Sequence, residues 1–160
     1  MDDWVRSLAV APDGTLYVGG LFSNAGGVSA KYIARWNGTN WSALGTGMNT
    51  WGVNALVVDK NGMLYAGGDF TFAGGVSVNY VARWDGTNWS ALGTGMNGSV
   101  RALALDPQGN LYAGGLFTSA GGVSANYVAR WNGSRCSALG AGMDRPVWAL
   151  ALDGSGVLHA

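Results

Sequence analysis

Leu16-Tyr17-Val18-Gly19-Gly20-Leu21-Phe22 is written again as Leu64-Tyr65-Ala66-Gly67-Gly68-Asp69-Phe70 and as Leu111-Tyr112-Ala113-Gly114-Gly115-Leu116-Phe117. A fourth copy begins at Leu158-His159-Ala160. A short apolar run closing in Gly-Gly reads as a buried strand that ends in a sharp bend. The copies lie 48 and then 47 residues apart, a period that belongs to repeat architectures.

Each repeat divides into four short strands. The first is Val5 to Ala11, echoed by Val53 to Asp59, Val100 to Asp106 and Val147 to Asp153. Its apolar character on both faces predicts a strand covered on each side. Turn residues follow (Pro12-Asp13-Gly14, Lys60-Asn61-Gly62, Pro107-Gln108-Gly109, Gly154-Ser155-Gly156), then the Gly-Gly strand. A third strand is expected at Tyr32 to Trp36, Tyr80 to Trp84 and Tyr127 to Trp131. A tight Asn-Gly or Asp-Gly link leads to a fourth at Trp41 to Leu44 and its equivalents. No helical period is sustained, because Gly interrupts every window long enough. The predicted fold class is all-β: a β-propeller segment of about three four-stranded blades plus the start of a fourth. The 160 residues read as one incomplete array, with blades at about 5–50, 51–97 and 98–144 and a partial blade at 145–160.

Composition supports a packed chain and excludes several functions. Hydrophobic residues make up 48% despite 28 glycines, and eight tryptophans point to large shared packing units. Nine acidic and nine basic side chains cancel, which leaves no electrostatic footprint for nucleic acid. No apolar run is long enough to span a membrane as a helix, and the first residues lack the pattern of a signal peptide. A single cysteine, Cys136, excludes an internal disulfide and a cysteine zinc cluster.

With the strands placed, the repeats resemble kelch-type units. Kelch units end the second strand in Gly-Gly and carry a Trp further on. Gly19, Gly20, Trp36 and Trp41 sit so in the first repeat, Gly67, Gly68, Trp84 and Trp89 in the second, and Gly114, Gly115 and Trp131 in the third. Cys136 replaces the remaining Trp. The added Phe-x-x-Ala-Gly-Gly-Val segment is similar to repeats of large bacterial surface or secreted proteins and of a fungal cell-polarity marker family. The resemblance implies an extracellular or cell-surface location and specifies fold better than activity.

Catalytic constellations cannot be assembled from this sequence. There is no Glu, one His, and the nine Asp sit mostly beside turns. No Ser-His-Asp set, paired carboxylates or phosphate loop is present, and no cofactor or metal is expected. Arg35, Arg83 and Arg130, each before the third-strand Trp, read as structural side chains rather than a ligand-binding ring.

In a four-strand meander the strand 2–3 loops and the inter-blade linkers emerge on one side. Those connections are long and hold residues that differ between copies. Asn24, Lys31, Trp51, Asp69, Phe72, Asn79, Ser119 and Asn126 are therefore the candidate ligand face. The expected function is non-enzymatic binding or scaffolding with a protein or glycan ligand, as a fragment of a larger surface or secreted protein. The alternatives are the propeller of an enzyme whose catalytic residues lie outside this chain, and a spacer with no ligand. Three blades leave broad apolar end faces, so further blades or a homo-oligomer are expected as partners.

Overall fold

The computed structural model describes residues 1–160 and is all-β, without a helix. The first repeat comprises β1 (Val5–Val10), β2 (Leu16–Gly20), β3 (Asn24–Ala25), β4 (Val28–Ser29), β5 (Ile33–Trp36) and β6 (Trp41–Ala43). The second comprises β7 (Val53–Val58), β8 (Leu64–Gly68), β9 (Phe72–Ala73), β10 (Val76–Ser77), β11 (Val81–Trp84) and β12 (Trp89–Ala91). The third comprises β13 (Val100–Leu105), β14 (Leu111–Gly115), β15 (Ser119–Ala120), β16 (Val123–Ser124), β17 (Val128–Trp131) and β18 (Cys136–Ala138). A last pair, β19 (Ala151–Leu152) and β20 (Leu158–His159), starts a fourth.

Each repeat folds into a four-stranded antiparallel meander, ordered β1-β2-β5-β6, β7-β8-β11-β12 and β13-β14-β17-β18. These are propeller blades. The first strands stand side by side at the axis, where the Leu56 amide donates to the Ser7 hydroxyl at 2.9 Å. The glycines explain how the blades approach one another. A Cβ on Gly19 would lie 2.6 Å from a Val53 methyl, and one on Gly114 would lie 2.5 Å from a Val147 methyl. Gly67 meets Val100 in the same way. The second strand of one blade thus takes the first strand of the next against its bare backbone.

Two apolar clusters of 15 buried residues fill the seams, one between the first and second blades and one between the second and third. Trp89 spans the first seam, its indole N–H donating to the Leu44 carbonyl oxygen at 3.0 Å. A Cβ on Gly45 would meet this Trp89 ring at 3.7 Å, whereas one on its counterpart Gly93 would meet the Trp131 ring at 3.5 Å. With Cys136 in place of the second indole, Trp131 provides that contact across the seam. Cys136 itself is buried, and burial pushes its thiol pKa up. We therefore expect a thiol reagent to label native Cys136 at least about tenfold more slowly than the denatured chain. Equal rates would contradict its packing role.

The structure corrects four sequence expectations. The strand 2–3 connections are not plain loops, because each contains a two-residue ribbon (β3-β4, β9-β10, β15-β16) turned by Gly pairs at positive φ, such as Gly26 at 55° and Gly27 at 83°. The third strands start one residue late, since Tyr32, Tyr80 and Tyr127 adopt φ of 68°, 70° and 65° as the chain leaves the ribbon. The first strand of the fourth repeat shrinks to Ala151–Leu152, having only a short partner strand. Finally, β1 is not covered on both faces: Leu8 and Val10 are 60% and 65% exposed, whereas Leu56, at the position of Leu8 in the second repeat, is buried in the first seam.

The polar residues of the turns act as backbone caps. Asp13, Asp59 and Asp153 accept amide N–H groups within their own hairpins. Arg35 and Arg83 donate to Ser42 and Ser90 on the neighbouring strand at 3.0 and 2.9 Å. Arg130 donates to Asn110 instead.

Candidate binding site at the axial mouth

The linkers and the strand 2–3 ribbons lie on one side of the sheets, joined by bridges from Met48 to Ala73 and from Met96 to Ala120. One residue in each linker pins the ribbon of the blade that follows it. Asp2 accepts the Ser23 and Asn24 amides, Asn49 accepts those of Thr71 and Phe72, and Asn97 accepts those of Thr118 and Ser119. The Asn24 amide and side chain, with Ser23, hold the Asp2 carboxyl at about 2, below its ordinary 3.8. A depressed folded-state pKa means that this cap is complete above about pH 4 and is lost as pH falls through about 2. The Ser23 and Asn24 amide resonances should titrate with a midpoint near 2, while those of Thr71 and Thr118, capped by neutral Asn, stay flat. A midpoint at the ordinary carboxylate value would contradict the cap.

The same side carries the mouth of the axis, and β-bulges shape it. Val5 pairs with Gly20 and Ser7 with Gly19, so Arg6 is an extra residue in β1. Asn54 in β7 and Arg101 in β13 are extra residues in the same register. A bulge bends its strand and re-aims one side chain, and here three bulges present three polar groups at the axis. The Arg6 guanidinium donates to Asn54 Oδ1, Asn54 Nδ2 donates to Asp69 Oδ2, and Arg101 pairs with Asp69 at 3.2 Å. Asn54 also donates to the Val100 carbonyl oxygen at 3.0 Å. The Arg101 guanidinium carbon lies 5.5 Å from the centre of the Trp148 ring. A polar row therefore crosses from the first blade to the fourth.

An open cavity of about 690 Å³ sits over this row, with Leu21, Trp51 and Leu116 as its apolar side. Trp51 adopts φ of 49° and is 76% exposed. Electrostatically the row is unbalanced. Arg101 shares the single carboxylate, while Arg6 has only an amide oxygen and keeps an unneutralised charge.

The eight residues singled out from sequence do not form one site. Trp51 and Asp69 line the axial cavity. Lys31 and Phe72 line a separate, smaller groove of about 230 Å³. Asn24 and Ser119 lie on separate ribbons, capped by Asp2 and Asn97. Asn79 and Asn126 donate their side chains to the Thr94 and Ala141 carbonyls, where they brace the linkers. Sequence reasoning missed Arg6, Asn54, Arg101 and Trp148. A signal was present: the residue after the leading Val of each first strand reads Arg, Asn, Arg, Trp, between neighbours that stay small or apolar.

The family described as a domain of unknown function (DUF5122) beta-propeller matches residues 11–42, 60–85 and 107–134, more than half of the chain. Each match runs from the first turn through the third strand, so the bulge residues fall outside the matched segments. Among curated proteins, none matches the sequence. In structure the chain resembles the extracellular domain of the hybrid two component system BT4673 from B. thetaiotaomicron, with a TM-score of 0.62 at 16% identity. It also resembles the corresponding domain of BT3049 from the same organism, with a TM-score of 0.58 at 14% identity. Each alignment covers 96% of this chain but only 19% and 20% of those chains, so the chain spans about a fifth of their length. At these identities the likeness concerns the fold.

Proposed function

The chain belongs to the DUF5122 β-propeller family, and on that premise we propose that it is a non-catalytic binding module whose ligand seats at the axial mouth. The observation that carries this reading is the set of three bulges. They place Arg6, Asn54 and Arg101 at one rim while the surrounding scaffold repeats almost unchanged. A spacer has no need of different polar groups at equivalent bulges, whereas a ligand does. The ligand is a glycan or a protein segment. The kelch-like Gly-Gly and Trp landmarks support the same assignment of blades. Likeness to extracellular domains supports a cell-surface or extracellular location. Further blades, or a second copy of the chain, cover the exposed Leu8 and Val10 face.

Amide chemical-shift mapping against a panel of oligosaccharides and peptides tests the site. Perturbations should cluster at Arg6, Asn54, Asp69 and Arg101. Perturbations confined to the opposite side, at Lys60 and Gln108, would overturn the assignment.

A further inference from the structure

Resting on the axial mouth as the binding site, we infer that its ligand is an acidic saccharide, with a sugar carboxylate held by Arg6 and the flat face of the ring stacked on Trp51. The protein has one ion pair between permanently charged groups, Arg101 with Asp69, and it lies in this row. Arg6 sits at the same mouth, exposed, with its guanidinium engaged only by the Asn54 amide oxygen, so most of its donors have no protein partner. A planar, always charged fork of this kind matches a carboxylate in two-point fashion.

The shape of the mouth suits a sugar ring. Trp51 lines the cavity together with Arg6, and three-quarters of its surface is open to solvent. Its positive φ shows that the backbone is held in an uncommon conformation while presenting this ring outward. An exposed indole offers a broad apolar plane with a polar edge. The C–H face of a pyranose ring fits such a plane, and the Asp69 carboxylate lines the same cavity as an acceptor for sugar hydroxyls. Trp148, at the bulge position of the fourth repeat, lies under the Arg101 guanidinium, which leaves Trp51 as the stacking surface beside Arg6.

The charge count favours a saccharide over a peptide. An acidic peptide engages several cations at once, yet Asp69 neutralises Arg101 and leaves one free positive charge. One carboxylate beside one stacking surface is the composition of an acidic sugar unit.

The test uses the full chain and three probes: a galacturonic acid oligomer of four to six units, the neutral galactose oligomer of the same linkage, and a hexaglutamate peptide. The galacturonate oligomer should bind saturably, change tryptophan fluorescence and shift the Arg6 and Trp51 amides. Its affinity should fall at least about tenfold in Arg6→Gln and in Trp51→Ala, and should weaken with salt. Both residues are exposed, and circular dichroism should show both variants folded. If the neutral oligomer or the peptide binds the same amides as well as the galacturonate does, the acidic-saccharide inference fails while the mouth stands as a binding site. Galacturonate binding that maps away from Arg6, Asn54 and Arg101 would overturn the mouth as well. Failure of galacturonate to shift any mouth amide overturns the inference.

Discussion

Gly115→Ala is expected to destabilise the chain by about 3 kcal/mol or more, at the upper end of overpacking losses. A Cβ at this position would land on the carbonyl oxygen of Ser99, which is backbone and cannot rotate away. That oxygen also accepts the Leu116 amide at 2.8 Å, so displacing it breaks a second contact. The segment that would move leads straight into the Arg101 bulge, so the mouth should deform with the fold. Gly109→Ala provides the contrast. Its new methyl would meet nothing within 4 Å, and only the φ of 86° is strained, at a cost of about 1–2 kcal/mol. Chemical denaturation of the two variants reads the difference. Equal losses would show that the seam does not depend on close backbone approach.

The second large effect concerns the open face of the first blade. Leu8 and Val10 project from β1 where Leu56 and Leu103, the counterparts of Leu8, are buried in the two internal seams. That face is an uncovered copy of a surface that packs twice within the same molecule. We expect the chain to self-associate at micromolar concentration, and Leu8→Lys with Val10→Lys to dissociate it. Withdrawing two such side chains from an interface removes about 3–6 kcal/mol, which raises the dissociation constant by two or more orders of magnitude. Light scattering after size exclusion would show the shift. A well-folded monomer before substitution would contradict the proposal.

The framework of this fold was readable because its physics is local and repeated. Gly19, Gly67 and Gly114 recur where a blade must accept the next one, and the tryptophans recur where the seam must be filled. The ribbons were less visible. Ala25-Gly26-Gly27-Val28 reads as a loop, since two residues on each side of a turn are too few for alternation to show. The tyrosines that open the third strand look like strand formers, yet the exit from the ribbon fixes them at positive φ. The mouth was hidden for a related reason. Val5-Arg6-Ser7 looks like ordinary alternation, and only the pairing of both Val5 and Ser7 with the glycine doublet shows Arg6 to be the extra residue. Register is a property of two strands, so one strand cannot disclose it. Asp69 could be found because it interrupts a Leu seen in the other copies, whereas its partner Arg101 came from a different blade.

Successive repeats stack through their glycine pairs. Nuclear Overhauser contacts in the intact chain test this most directly. Cross-peaks are predicted from the Gly19 α-protons to the Val53 methyls, from Gly67 to Val100, and from Gly114 to Val147. Well-dispersed spectra in which all three cross-peaks are missing, with contacts confined within single repeats, would contradict it.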